Sequence, residues 1–179
     1  LFAWEIFSIA IDLPIVPEPI DVFLTLGNIF ADEISIHAIH SIGRILAGLT
    51  IAIAIGFPIG VLLGRNSKLY RIFAPTIYLT YPIPKIALLP IAMLLFGIGE
   101  SSKIFLITLI IVFQILISVR DSTKKIPTEY FEPLISLGAD RFEIFRSIIF
   151  PAVLPEFLTS IRISLATAIS VLFFTETFG

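Results

Sequence analysis

Twenty consecutive residues from Ile45 to Gly64 carry no charge, and this run decides what the chain folds into. A hydrocarbon core of about 30 Å is crossed by about 20 apolar residues in helical form. Backbone N–H and C=O groups find no water there, so an isolated run of this length is helical. Flanking Arg44 and Arg65 mark the ends of the predicted span. Within it small residues recur every fourth position at Gly48, Ala52, Gly56, Gly60 and Gly64. Such a stripe lets two helix backbones approach closely, which matters in lipid, where burying apolar surface supplies no driving force. The stripe is therefore read as a helix-packing face.

The rest of the sequence is of the same kind. Over 179 residues 57% are hydrophobic, mean hydropathy is +1.03, and charged residues make up 15%, against about 25% for soluble domains. A net charge of −2 without a basic stripe argues against a nucleic-acid partner. Cysteine is absent, which excludes disulfides and thiolate metal sites. His37 and His40 share a helical face but lack a third ligand nearby, so neither a metal nor a cofactor is expected.

Three further spans follow. Ile72 to Gly99 is broken by Pro75, Pro82, Pro84 and Pro90, which predicts a kinked or two-part segment whose freed carbonyls are buried in protein or face water. Lys85 lies inside it. An ammonium at mid-bilayer costs about 2.5 to 3.5 kcal/mol, so it faces a cavity or partner, or snorkels to the interface. Lys103 to Val119 forms the next helix, with Gln114 either bonding a neighbouring helix or lining a pathway. The last runs from about Glu156 to Phe178, with Glu176 either facing a pore or at the interface.

Basic residues set the orientation. Arg65, Lys68 and Arg71 follow the first span, and Arg120, Lys124, Lys125, Arg141 and Arg146 follow the third, so both connections are cytoplasmic. Arg44, at the outer end, dissents. Residues 1–35 read as the tail of an earlier span plus an outer loop rich in proline (Pro14, Pro17, Pro19), and 36–179 as the main membrane domain. Because Leu1 is not a methionine and the chain runs off an apolar segment, it is expected to be a fragment lacking both natural ends.

The charged block between the last two spans, EPLISLGADRFEIFRSIIFP from Glu132 to Pro151, breaks the apolar pattern. Local rules build it over residues 128–151: Thr128 caps a short helix, Gly138 ends it in the left-handed position, and Asp140 with Glu143 opens a second helix. Phe142, Phe145, Ile148 and Ile149 form one apolar face of that helix, and Pro151 closes the block. An amphipathic hairpin lying on lipid is the plainer alternative.

The spacing of Glu132, Gly138 and Pro151 resembles the EAA loop of ATP-binding-cassette (ABC) importer permeases. LPIVPEPIDVF, YPIPKIALLPIAMLLFGIGESSK and FFTETFG resemble other permease segments, in the order found in the nitrate, sulfonate, taurine and bicarbonate group. The resemblance implies an all-α, polytopic type I importer domain in the cell membrane. It implies an ABC ATPase subunit gripped through Glu132, Gly138, Ala139, Asp140, Phe142, Phe145 and Pro151, an extracytoplasmic solute-binding protein, and a second permease subunit, as a homodimer. Hydrolysis would then belong to the partner, in keeping with the lack of a GxxxxGK[ST] loop here. Pro133 and Leu134 stand where the loop usually has two alanines, and Phe150 replaces a leucine. A permease of this type would continue past Gly179 with at least one more span. The rival reading is a secondary transporter or channel using Lys85, Gln114 and Glu176.

Overall fold

The computed structural model describes residues 1–11, 13 and 15–178, without the side chains of 31, 32 and 178. Pro14 of the proline-rich loop and Gly179 of the last apolar segment lie outside the described residues. Among the described residues all regular structure is helical. The chain divides into a unit of Leu1–Gly43 and a unit of Arg44–Gly179.

In the first unit, α1 (Phe2–Ile11) and α2 (Pro19–Ile29) are apolar helices of 10 and 11 residues. The indole of Trp4 donates to Pro17 O at 3.1 Å and the Ser8 hydroxyl to Val16 O at 2.6 Å, tying α1 to its connection. Pro19 takes the first turn of α2, where its missing N–H costs nothing. A π-helical turn, Phe30–Ile34, leads into α3 (Ser35–Arg65).

The second unit is built around α6 (Glu100–Lys124). Leu106, Ile107, Ile111, Ile115 and Val119 recur at helical spacing on one of its faces and are fully buried. Against this face lies the glycine stripe of α3. A Cβ placed on Gly48 would meet Ile107, on Gly56 Ile115, on Gly60 Val119 and on Gly64 Thr123, all at 3.3 Å or less. The residue numbers rise together, so α3 and α6 run parallel in one register. Val112 O, Leu116 O and Arg120 O lie only 2.8 to 2.9 Å from the Cβ positions of Gly56, Gly60 and Gly64. Backbone touches backbone along this seam, the approach in which Cα–H···O contacts form.

On α6's other side packs α9 (Phe150–Phe178), running antiparallel, since Ser118 faces Glu156 and Gln114 faces Ser164 and Thr167. Ser160, Ser164 and Ala168 form a second small-residue stripe, buried on α9. Four-residue spacing was the signal for it, though Ser reads as polar rather than small until a partner face is known.

Between α3 and α6 lies the broken span. Asn66 Oδ1 accepts from Lys68 N and Leu69 N, both at 3.1 Å, capping α4 (Ser67–Thr80). After Pro82 and Pro84 the chain resumes as a 3₁₀ turn, Lys85–Leu88, and α5 (Leu89–Phe96), bent 80° from α4. Pro90 sits in the first turn of α5 and Pro75 inside α4, so the break belongs to Pro82 and Pro84. Gly97, at φ +81, ends α5.

Ser35–Arg65, Glu100–Lys124 and Arg141–Thr177 are long and apolar enough to cross a membrane, with mean hydropathies of 2.4, 2.4 and 1.8 in their most apolar stretches; the bent pair makes a fourth if it spans as one. Large apolar side chains such as Leu46, Ile55, Leu62, Leu158, Ile163 and Phe173 are exposed along them. Lipid is the solvent that suits such a surface. The parallel α3 and α6 bring the basic residues after both helices to one side, in keeping with the charge-based orientation.

Candidate functional site

The block after α6 is assembled from caps. Lys124 ends α6, and a 3₁₀ turn, Thr128–Tyr130, follows Pro127. Thr128 does not cap it: Pro127, its φ held at −61 by the ring and its ψ extended at 145, takes the cap position and makes no side-chain bond. α7 (Glu132–Ser136) then starts with Pro133 in its first turn. Gly138, at φ +82, stops it, with Gly138 N bonding Ile135 O and Ala139 N bonding Leu134 O, both at 3.0 Å. Asp140 opens α8 (Arg141–Ile144) with a reciprocal box, Glu143 N to Asp140 Oδ1 at 2.7 Å and Asp140 N to Glu143 Oε2 at 2.9 Å.

Pro151 does not close this block. The helix continues from Arg141 to Thr177 through a π-helical stretch, Phe145–Ile149, placed just before the proline. An i→i+5 turn is wider than an α turn, which gives the pyrrolidine ring room and leaves no bond waiting for its missing N–H. Pro151 also lines a groove with Tyr130, Ile148 and Pro155.

The expected apolar face divides in two. Phe145 and Phe150 turn onto Phe57 of α3 at centroid distances of 6.4 and 6.3 Å, Phe157 joins at 4.8 Å, and Ile149 is buried. Phe145 is thus spent on an internal contact, contrary to its expected place on the docking face. Phe142 is 66% exposed and Leu137, beside Gly138, 86% exposed; Ile135 and Tyr130 are exposed too. Leu137 and Ile135 are the apolar tip residues that sequence reasoning missed. Apolar residues flanking a left-handed glycine in a surface turn were their signal. Glu132, Gly138 and Asp140 are exposed and Ala139 is half-buried. Phe131, buried, anchors the block beneath the Arg65 guanidinium at 3.7 Å, and Arg120 stacks on Tyr70 at 3.5 Å.

The polar residues of the spans separate by partner. Gln114 donates from Nε2 to Thr167 Oγ1 and accepts at Oε1 from Ser164 Oγ, both at 3.2 Å, joining α6 to α9. Lys85 donates to Thr80 O and Tyr81 O, both at 3.1 Å, so it takes up carbonyls freed by the break. Lys85 and Gln114 line one cavity. Glu176 is not with them: it pairs with Arg44, which also forms a two-point bond to Glu100 at 2.5 Å. Arg44, the dissenter from the charge rule, thereby meets carboxylates at the start of α6 and near the end of α9; it does not end its own helix, since α3 begins nine residues earlier at Ser35. Its side chain is only 15% exposed. Arg44→Gln is expected to destabilise the folded protein by about 1–3 kcal/mol, between the values for exposed and buried pairs. A double-mutant cycle with Glu176→Gln, read by thermal melting in detergent, measures the coupling; additive effects would refute the pairing.

Comparison with known proteins bears on the whole arrangement. A putative ABC transporter permease protein of Methanocaldococcus jannaschii is 30% identical over 171 residues, 92% of this chain and 64% of that protein. The taurine transport system permease protein of Escherichia coli is 36% identical over 140 residues, 78% of this chain and 51% of that protein. The formylaminopyrimidine transport permease protein of Halalkalibacterium halodurans is 29% identical over 167 residues, 93% and 67% respectively. The chain thus spans between about half and two thirds of the length of these relatives. Residues 56–179, from the glycine seam through the bent span and capped block to α9, match the binding-protein-dependent transport system inner membrane component, and the chain belongs to that family.

Proposed function

We propose that the chain is the membrane-spanning permease part of an ATP-driven importer for a small solute, coupled to a separate ATPase subunit. The observation that carries this reading is the Gly138 turn. Two helices on the basic side of the spans, α7 ended by the Gly138 turn and α8 opened by the Asp140 box, hold exposed Leu137 and Phe142 at its edge, where an apolar groove on a partner can take them. Glu132, Ala139 and Asp140 complete the docking face, with Phe145 and Pro151 behind it as supports. Two copies of the permease pair, and ATP binding draws the two ATPase subunits together. The capped blocks move with them, and α9 re-aims the pathway to receive solute from an extracytoplasmic binding protein. The catalytic work is the ATPase's; this chain supplies path and linkage. The relatives' names cover solutes as different as taurine and formylaminopyrimidine, which fits selection by an external binding protein.

Reconstitution tests the proposal. In proteoliposomes containing permease and ATPase, uptake is expected to require both ATP and the binding protein. Uptake driven by an ion gradient alone would replace this reading with a secondary transporter.

A further inference from the structure

α9 buries Ser160, Ser164 and Ala168 on one face and leaves the opposite face bare. At about 100° per residue, Ala152, Thr159, Ala166, Ser170 and Thr177 fall within about 20° of one line along that bare face. All five are exposed. The hydroxyls of Thr159, Ser170 and Thr177 donate to Pro155 O, Ala166 O and Phe173 O at 3.0, 3.0 and 2.7 Å, so each is satisfied within its own helix and packs as a small residue. Arg162 and Glu156 flank the line, about 60° to either side of it. Both are exposed, and among the described residues neither forms an ion pair.

Depth makes this face costly to leave in lipid. Ser118 donates to Glu156 O and Gln114 accepts from Ser164, so Arg162 lies between those two levels of α6. Gln114 stands about 15 Å of helical rise before Lys124 and about 20 Å after Glu100. An arginine at that level is retained where protein or a carboxylate receives it. Symmetry supplies the carboxylate. The basic loops orient every copy of the chain the same way, so two copies pair about an axis along the membrane normal. With that axis beside the small-residue line, a half-turn brings the Arg162 flank of each α9 against the Glu156 flank of the other, and the two arginines fall on opposite sides of the seam. Glu156 precedes Arg162 by about 9 Å of rise, in the direction toward which helical side chains lean.

We infer that the α9 helices of two copies of this chain pack against each other along Ala152, Thr159, Ala166, Ser170 and Thr177, closed on its flanks by two reciprocal ion pairs between Arg162 of one copy and Glu156 of the other. Small side chains let the two backbones approach, and the charges fix which faces meet. The inference rests on the importer reading for the presence of two copies and adds the surface by which they join.

The test uses membranes holding the full-length permease with its ATPase. Cysteine is absent from the 179 residues, so an introduced one reports its own position. On mild oxidation Thr159→Cys and Ala166→Cys are each expected to give about ten times more cross-linked permease dimer than Leu158→Cys, which is exposed but about 100° off the line. Placed in the Thr159→Cys protein, Arg162→Glu and Glu156→Arg are each expected to lower the cross-link by about tenfold, and the two together to restore it. If the reversed variants do not assemble, the three cysteine positions decide. Equal cross-linking at all three positions, or an assembled double exchange that does not recover, overturns the inference. Native mass spectrometry counts the permease copies independently: two copies without cross-linking at 159 and 166 overturn this surface and leave the importer reading standing. In that case labelling of the two cysteines by a water-soluble maleimide gives the face to the aqueous path, and protection gives it to another span.

Discussion

Gly138→Asp is expected to reduce both uptake and co-purification of the ATPase subunit by more than tenfold, while the spans insert normally. Gly138 sits at φ +82, where a side chain costs about 1–2 kcal/mol. Nothing lies within 4 Å of the position its Cβ would take, so no clash spreads into the fold. Two effects remain at the tip. The turn that sets α7 against α8 is strained, and a carboxylate joins the exposed Glu132, Asp140 and Glu143 at the docking edge. Gly138→Asn, which tolerates the left-handed conformation without charge, is expected to retain most of both activities. Undiminished pull-down and uptake in the Asp variant would refute the assignment of this turn to the ATPase.

Gly60→Leu is expected to be the most damaging single change to the fold. A Cβ there would lie 2.8 Å from Leu116 O and 2.9 Å from Val119, and the nearest of these is backbone, which cannot rotate away. Overpacking of a closed interior costs about 1–3 kcal/mol for small additions, and leucine adds three more carbons. The yield of monodisperse protein in detergent should fall by an order of magnitude, with a lower melting temperature for what remains. Gly43→Ala, with open space around it, is the control and should be close to neutral or slightly stabilising. Equal behaviour of the two variants would show that the seam between α3 and α6 is looser than its distances.

What could be read from the sequence was local. The charge-free run, the proline break, the left-handed Gly138 and the Asp140–Glu143 box each depend on residues within a few positions of one another, and each takes the expected form, except that the helix of the charge-free run starts at Ser35, ahead of the Arg44 expected to end it. What escaped was decided at a distance. Arg44 looked like an anomaly because its partners, Glu100 and Glu176, are 56 and 132 residues away. Phe145 looked available for docking because Phe57, which claims it, lies on another helix. Pro151 read as a stop because local rules set proline against an α turn, whereas the chain widens to a π turn just ahead of it. Thr128 falls inside the turn, one position past the cap, which Pro127 occupies without a side-chain bond. Gln114 and Lys85 were recognisable as costly, but which neighbours compensated them was settled by packing.

The unbroken helix from Arg141 to Thr177 has a mechanical meaning. Its 37 residues make a column of about 55 Å, capped by Asp140 at one end and carrying Glu176 at the other. Under the proposed docking, a load applied at the Gly138 turn would pass along one helical rod to the Arg44–Glu100 pair, with no loop on the way to absorb it. The wide turn at Phe145–Ile149, braced by Phe57, and the missing hydrogen bond at Pro155 are the compliant points of that rod, so under the proposed coupling their stiffness would govern how much of the stroke reaches the far end.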